Sequence, residues 1–147
     1  ALRLYRVAAA RYPRTVPGEN ATYEVGRVAL RLTRPKEAAD AFRSYLKRNP
    51  RGVLAAEATF RLCSLAMEAD RYEEALACVR DYRTKHPSGE RVAEAHFLEA
   101  TILRTARHDC RGALEAYGKY LEKPGELRKQ AEGWRQWCLD ELGESNR

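Results

Sequence analysis

Residues 56–87, AEATFRLCSLAMEADRYEEALACVRDYRTKHP, decide the fold. Phe60, Cys63 and Met67, with Leu62, Leu65 and Ala66, recur at steps of three and four, the spacing that puts side chains on adjoining faces of one helix. Asp70 stands three residues before Glu73, the arrangement of a reciprocal helix cap, so a turn is predicted near Asp70. Ala75, Cys78, Val79 and Tyr82 then form the inward stripe of a second helix. That helix must stop before Pro87, because the residue preceding a proline is pushed out of the α region. The stretch reads as an antiparallel helical hairpin.

Outward from this hairpin the chain repeats. Pro13, Pro50, Pro87 and Pro124 stand 37 residues apart, and so do the aromatics Tyr23, Phe60, Phe97 and Trp134. A column of small residues, Gly26, Cys63 and Ala100, keeps the same step three positions later. A fixed period of this length is the mark of a stacked array of supersecondary units. The chain is therefore expected to be all-α, a stack of antiparallel helical hairpins with about eight helices. It is read as one array over 1–147: an orphan second helix at 1–13, repeats at 17–50, 54–87 and 90–124, and a capping helix at 125–143.

The boundaries agree with the prolines. Pro17 falls in the opening turn of one helix and Pro35 opens the next, where a missing amide costs little; none of the six prolines interrupts a helix. Leu4, Tyr5, Ala8 and Tyr12 precede Pro13 as Phe42 and Tyr45 precede Pro50, so the array is expected to start halfway through a unit. Further residues before Ala1 are an expectation of that reading, and self-association through the uncovered face of residues 1–12 is another.

The third repeat departs from the others. Ala113 follows Ala75 by 38 residues, so the turn at His108, Asp109 and Cys110 holds one extra residue and the following helix loses one. Glu99 stands where Val25 and Leu62 are apolar, so either this hairpin is rotated or Glu99 finds a polar partner.

The repeats resemble the tetratricopeptide family. Ala58, Phe60, Leu62 and Cys63, then Tyr72, Glu74, Ala75, Val79 and Pro87, follow its order of aromatic, leucine, small residue, alanine, aromatic and proline. Tyr23, Val25, Gly26, Ala38, Phe42 and Pro50 repeat it, as do Phe97, Ala100, Ala113, Tyr117 and Pro124. The 37-residue step and the joints YP, NP and HPSGE are similar to a bacterial envelope subgroup that includes the TolA-binding protein and outer-membrane assembly lipoproteins. The resemblance implies a right-handed superhelical stack of the hairpins (an α-solenoid), and a non-catalytic scaffold whose first helices line a concave groove holding a protein or peptide. It implies a periplasmic or envelope location, within a membrane-associated complex reached through regions outside this chain. A cytoplasmic regulatory or sensor domain of a larger signalling protein is the other reading.

On that geometry Tyr23, Phe60, Phe97 and Trp134 stand side by side, with Arg27, Arg61, Arg104 and Arg135 on the same helices as partner-binding candidates. Rigid aromatics flanked by arginine make strong anchors. The competing reading is that the rings pack between neighbouring first helices, and both stay open on sequence alone.

Composition removes other classes. A net charge of +6 invites a nucleic-acid reading, but 27 basic residues are interleaved with 21 acids without a lysine run, and no nucleic-acid partner is expected. No apolar run approaches the roughly 18 residues of a membrane span. No HExxH, phosphate loop or nucleophile elbow is present, so no enzyme activity and no cofactor are expected. His108, Cys110 and Cys138 match no common zinc scheme, and no metal is expected. Cys63 and Cys78 read as buried small hydrophobes, while Cys110 and Cys138 should share one edge of the stack, where an oxidising compartment could join them.

Overall fold

The computed structural model describes residues 1–144 and contains, among them, eight α-helices and no strand. They are α1 (Leu2–Arg11), α2 (Val16–Arg31), α3 (Pro35–Arg48), α4 (Ala55–Glu68), α5 (Tyr72–Lys85), α6 (Val92–Thr105), α7 (Cys110–Glu122) and α8 (Arg128–Glu141). None is long and apolar enough to cross a membrane. The chain divides into two compact units, Ala1–Leu65 and Ala66–Arg147. Such a division suits hairpins that contact only their neighbours in series and share no central core.

In the first unit α2 packs against both α1 and α3. Its core gathers Tyr23 and Ala29 from α2, Ala38, Phe42 and Tyr45 from α3, and Ala58 and Leu65 from α4. Gly26 marks a close approach of α2 to α3: a Cβ there would lie 2.7 Å from the Phe42 ring. α1 has no buried residue and leaves Leu4 and Val7 exposed.

In the second unit α6 packs on α5 and α7, and α7 on α8. Ala75, Leu76, Ala100, Ile102, Ala113, Tyr117, Tyr120, Ala131 and Cys138 form its core. Alanines at 38, 75 and 113, all fully buried, hold the same place in three successive second helices. Side chains this small let helix axes approach to the short end of the usual 8–10 Å range.

The joints have a shared device. Tyr45, Tyr82 and Tyr120 are buried near the ends of α3, α5 and α7. Their phenolic oxygens accept backbone N–H bonds from the next segment: Leu54 at 3.2 Å, Arg91 at 3.2 Å, and Gly125 and Leu127 at 2.9 and 3.1 Å. The last pair delays α8 to Arg128, three residues beyond its expected start.

The turns within hairpins carry the extra residue of the third repeat as expected. Thr33, Asp70 and His108 take the left-handed conformation, with φ of 54, 56 and 52°. Helix α7 has 13 residues against 14 in α3 and α5, which restores the register at Pro124. The reciprocal cap expected of Asp70 and Glu73 does not form. A cap residue needs extended backbone, whereas Asp70 is left-handed and its carboxylate accepts from the Tyr72 hydroxyl at 2.7 Å. Glu73 instead accepts from Arg107 Nε at 3.0 Å.

A β-branched residue pays most for the left-handed region, where an L-residue loses roughly 1–2 kcal/mol. Thr33→Gly is expected to raise unfolding stability by about 0.5–1 kcal/mol after the added chain entropy of glycine. Urea unfolding of the two proteins checks this, and a loss of stability would contradict the assignment of strain to Thr33.

Candidate functional site

The eight expected anchors fall four to each unit. In the first, Tyr23 is buried, its ring tilted on Phe42 at 5.3 Å and edge-on to Tyr45 at 5.9 Å. Burial, and next the charge of Glu57, push its phenol above the ordinary value against the pull of Arg61, which is hydrogen-bonded to it. Arg61 Nε also donates to Glu57 at 2.9 Å, and Arg27 pairs with Glu24 at 3.1 Å. Phe60 is buried as well. The first unit thus brings Arg61 and Glu57 to Tyr23, with Arg27 held apart by Glu24, and commits both aromatics to packing.

In the second unit Phe97 packs edge-on to Tyr117 and Tyr120, with centroids at 5.7 and 5.4 Å. Trp134 differs from the other three aromatics of its column. It is 38% exposed, and Trp137, one helical turn on, is 41% exposed and meets it edge to face at 6.3 Å. The Arg104 guanidinium lies 3.6 Å from the Trp134 ring centroid and 5.9 Å from that of Trp137, and its Nε donates to the Tyr117 hydroxyl at 3.4 Å. A cation over an indole face is drawn by the ring quadrupole, and here it fixes both rings from one side. Arg135 is exposed beside them on α8. Trp137, which no column of the repeat contains, was missed by the sequence reading.

A second feature lies on different helices. A cleft of about 370 Å³ is lined by α5, α6, α7 and the turn before α7. Glu99, 7% exposed, lies at its wall, and the polar partner anticipated for it proves to be two arginines of α5. Arg80 Nε donates to one carboxylate oxygen at 2.7 Å and Arg83 donates to the other. Arg83 also reaches Nδ1 of His96 at 2.8 Å, so the neutral ring accepts through that nitrogen. Burial, then the charge of Arg83, hold His96 below its ordinary pKa. Burial alone would raise the Glu99 carboxyl, but the hydrogen bonds and charges of Arg83 and Arg80 outweigh it and hold the group below the carboxylate range. The signal for this cluster was in the sequence as a carboxylate in an apolar column. Its partners, 16 and 19 residues upstream, were not legible there.

The cysteines require a correction. Cys110 and Cys138 do come together, but as free thiols, without the disulfide that an oxidising compartment could form between them. Cys138 is fully buried at the inner face of α8; that burial, and then its hydrogen bond to Cys110, push its thiol up to about 12. A thiol so held is protonated and does not attack a disulfide. Cys63 and Cys78, expected as buried small hydrophobes, are each disulfide-bonded, Cys63 being fully buried.

Buried alanine columns, tyrosine-tied joints and a 37-residue step define a protein of helical-hairpin repeats. The Tetratricopeptide repeat model matches residues 1–53 and 23–90, and the chain belongs to that family. Among solved structures it is similar to one titled "Crystal structure of MamA", with a TM-score of 0.77 and 18% identity over 99% of this chain and 78% of that one. It is also similar to MamA residues 41–end from Desulfovibrio magneticus RS-1, with a TM-score of 0.66 and 18% identity over 98% of this chain and 86% of the other. At that identity the likeness concerns the fold. No curated protein matches the chain in sequence.

Proposed function

We propose that this chain is a non-catalytic protein-interaction module, and that its second unit holds a peptide or protein surface at Trp134, Trp137 and Arg104. The observation that carries this is the exposed tryptophan pair pinned by a guanidinium that is itself hydrogen-bonded to Tyr117. Large rings already fixed in place bury area on binding with little further loss of freedom, and Trp and Arg dominate the energetics of interfaces. The family membership supports the same reading. The disulfide-bonded state of Cys63 and Cys78 supports an oxidising compartment, hence an envelope or periplasmic setting, because such bonds are rare in a reducing cytosol.

The test is affinity capture on the wild-type chain, followed by titration of the purified captured protein against wild type and Trp134→Ala. Truncating a hot-spot residue costs about 2 kcal/mol or more, so binding should weaken roughly 30-fold. Unchanged affinity of a folded Trp134→Ala protein would remove the assignment. Cell fractionation of the natural protein tests the compartment separately, recovery in the cytosol being the adverse result.

A further inference from the structure

Two thiols meet between the start of α7 and the last turn of α8. Cys110 is the first residue of α7 and half-exposed, Cys138 is fully buried, and the two are hydrogen-bonded to each other. Both belong to one hydrophobic cluster of the second unit, where α7 and α8 pack together. The chain thus keeps one pair of cysteines reduced and in contact, whereas Cys63 and Cys78 are oxidised.

The two thiols stand on helices of unequal firmness. The start of α7 is fixed, with Asp109 accepting the Gly112 amide at 2.9 Å as its cap. The entry to α8 is tied as well, because Leu127 N–H donates to the Tyr120 hydroxyl at 3.1 Å, but little holds the rest of that helix. Its charges oppose the helix dipole, with Arg128 and Lys129 in the first turn and Asp140 and Glu141 in the last. Gly133 stands in mid-helix with open space where a Cβ would go, so no packing demands the glycine and it weakens the helix. Arg128 reaches Glu132 at 3.7 Å on the surface, a pair of little strength. Of its described residues, α8 buries only Ala131 and Cys138. The half that carries Trp134 and Trp137 is therefore held by the Arg104 stack and by Cys138.

We infer that Cys110 and Cys138 form a redox latch, which a hydroperoxide closes into a disulfide that fastens α8 to α7 next to the tryptophan pair. The oxidant reaches half-exposed Cys110 and not the buried Cys138. The Cys110 thiolate attacks the peroxide O–O bond and becomes a sulfenic acid, while the other oxygen leaves as water or an alcohol. The Cys138 sulfur then attacks the sulfenyl sulfur. The S–S bond forms, the S–O bond breaks, and the departing hydroxyl takes the Cys138 proton and leaves as water. Two thiols have lost two electrons and two protons, which the peroxide has accepted. The proton that Cys138 retains in the core passes to the leaving group, so no free thiolate has to exist there. Two small-molecule thiols reopen the latch by attack at the Cys110 sulfur and leave as their own disulfide. Control of a partner at Trp134 rests on the function proposed above; the dithiol and its closure do not.

The test treats the intact chain with stoichiometric hydrogen peroxide. Alkylation after denaturation, with peptide mass mapping, reads the thiols. Cys110 and Cys138 should both be alkylated before treatment and should be recovered as one cross-linked peptide pair after it. Amide hydrogen exchange in α8 should then slow by about tenfold or more, the effect of a disulfide of ordinary strength on local opening. Cys110→Ser leaves the core of α8 intact and should show no slowing. In Cys138→Ala the sulfenic acid has no thiol to meet, so dimedone should label Cys110 more heavily than in wild type. Both thiols still alkylated after peroxide, a cross-link that leaves α8 exchange unchanged, equal slowing in Cys110→Ser, or absence of the dimedone adduct in Cys138→Ala would each overturn the latch. None of these readings needs a partner, so a failed Trp134 surface and a failed latch are seen apart.

Discussion

Replacing both Arg80 and Arg83 with alanine is expected to destabilise the second unit by about 3–5 kcal/mol, the usual cost of leaving a buried charge without its partners. Glu99 has almost no exposed surface, and two guanidinium groups supply its solvation. A third change, Glu99→Leu, should return most of that loss. It places at this position the residue found at Leu62, and apolar replacement of a buried ion cluster is commonly neutral or better. Chemical unfolding of wild type, double and triple variants gives the three values. A double variant within about 1 kcal/mol of wild type would contradict the account, being the size of an exposed ion pair.

The same trio makes a prediction about pH. In the wild type the Glu99 carboxyl is held below its ordinary value, so the folded state binds fewer protons than the unfolded chain there. Its contribution is complete above the ordinary carboxylate range and is lost as pH falls through the lower folded value. Once both arginines are gone, burial is the term left and acts in the opposite direction. The folded state of the double variant then takes up the proton more readily, and its stability deficit relative to the triple variant should shrink as pH falls from 7 towards 4. His96 is held low in wild type by burial and Arg83, so it favours the folded state at higher pH and its contribution is lost on acidification below the ordinary histidine range. Both alanine variants retain that ring and lack Arg83, and the Glu99 charge, present only in the double variant, raises the ring there, which also narrows the deficit on acidification. A deficit that widened on acidification would reverse the sign and sink the explanation.

Phe42→Ala is the second large effect, expected to cost about 3–5 kcal/mol in the first unit for a fully buried ring. Gly26→Ala should cost about 1–3 kcal/mol for the opposite reason, overpacking, since the new methyl would sit 2.7 Å from that ring. The two errors compensate: in Phe42→Ala the added methyl enters vacated space. The double variant should therefore be less destabilised than the sum, with a coupling of about 1 kcal/mol or more. Strict additivity in the unfolding free energies would show that Gly26 and Phe42 do not share one contact.

Much of the architecture was legible because its signals are local. The prolines end or open helices through a missing amide and a fixed φ, and all six stand at or just beyond a helix terminus or in a first turn. The extra residue between Ala75 and Ala113 appears as the longer third turn, closed by His108 in the left-handed conformation. Asp70 shows where local reading stops. Its spacing from Glu73 fits a cap, but three-dimensional demands placed Asp70 in the left-handed turn and sent Glu73 to Arg107.

The candidate sites were less legible. Tyr23, Phe60, Phe97 and Trp134 are equivalent in the sequence, and only packing separates the committed rings from Trp134, whose surroundings leave it open beside Trp137. A charged cleft made from α5, α6 and α7 has no local signature beyond the misplaced Glu99, because its donors come from turns of different helices.

By itself, then, the amino-acid sequence determined the helices, their turns, the period and the family, since these follow from backbone restrictions and apolar spacing within a few residues. Tertiary structure decided which aromatics face water, which cysteines are oxidised, and that Glu99 gathers Arg80 and Arg83. Those outcomes depend on burial and on charges brought together across distant turns, and neither quantity exists until the helices have packed.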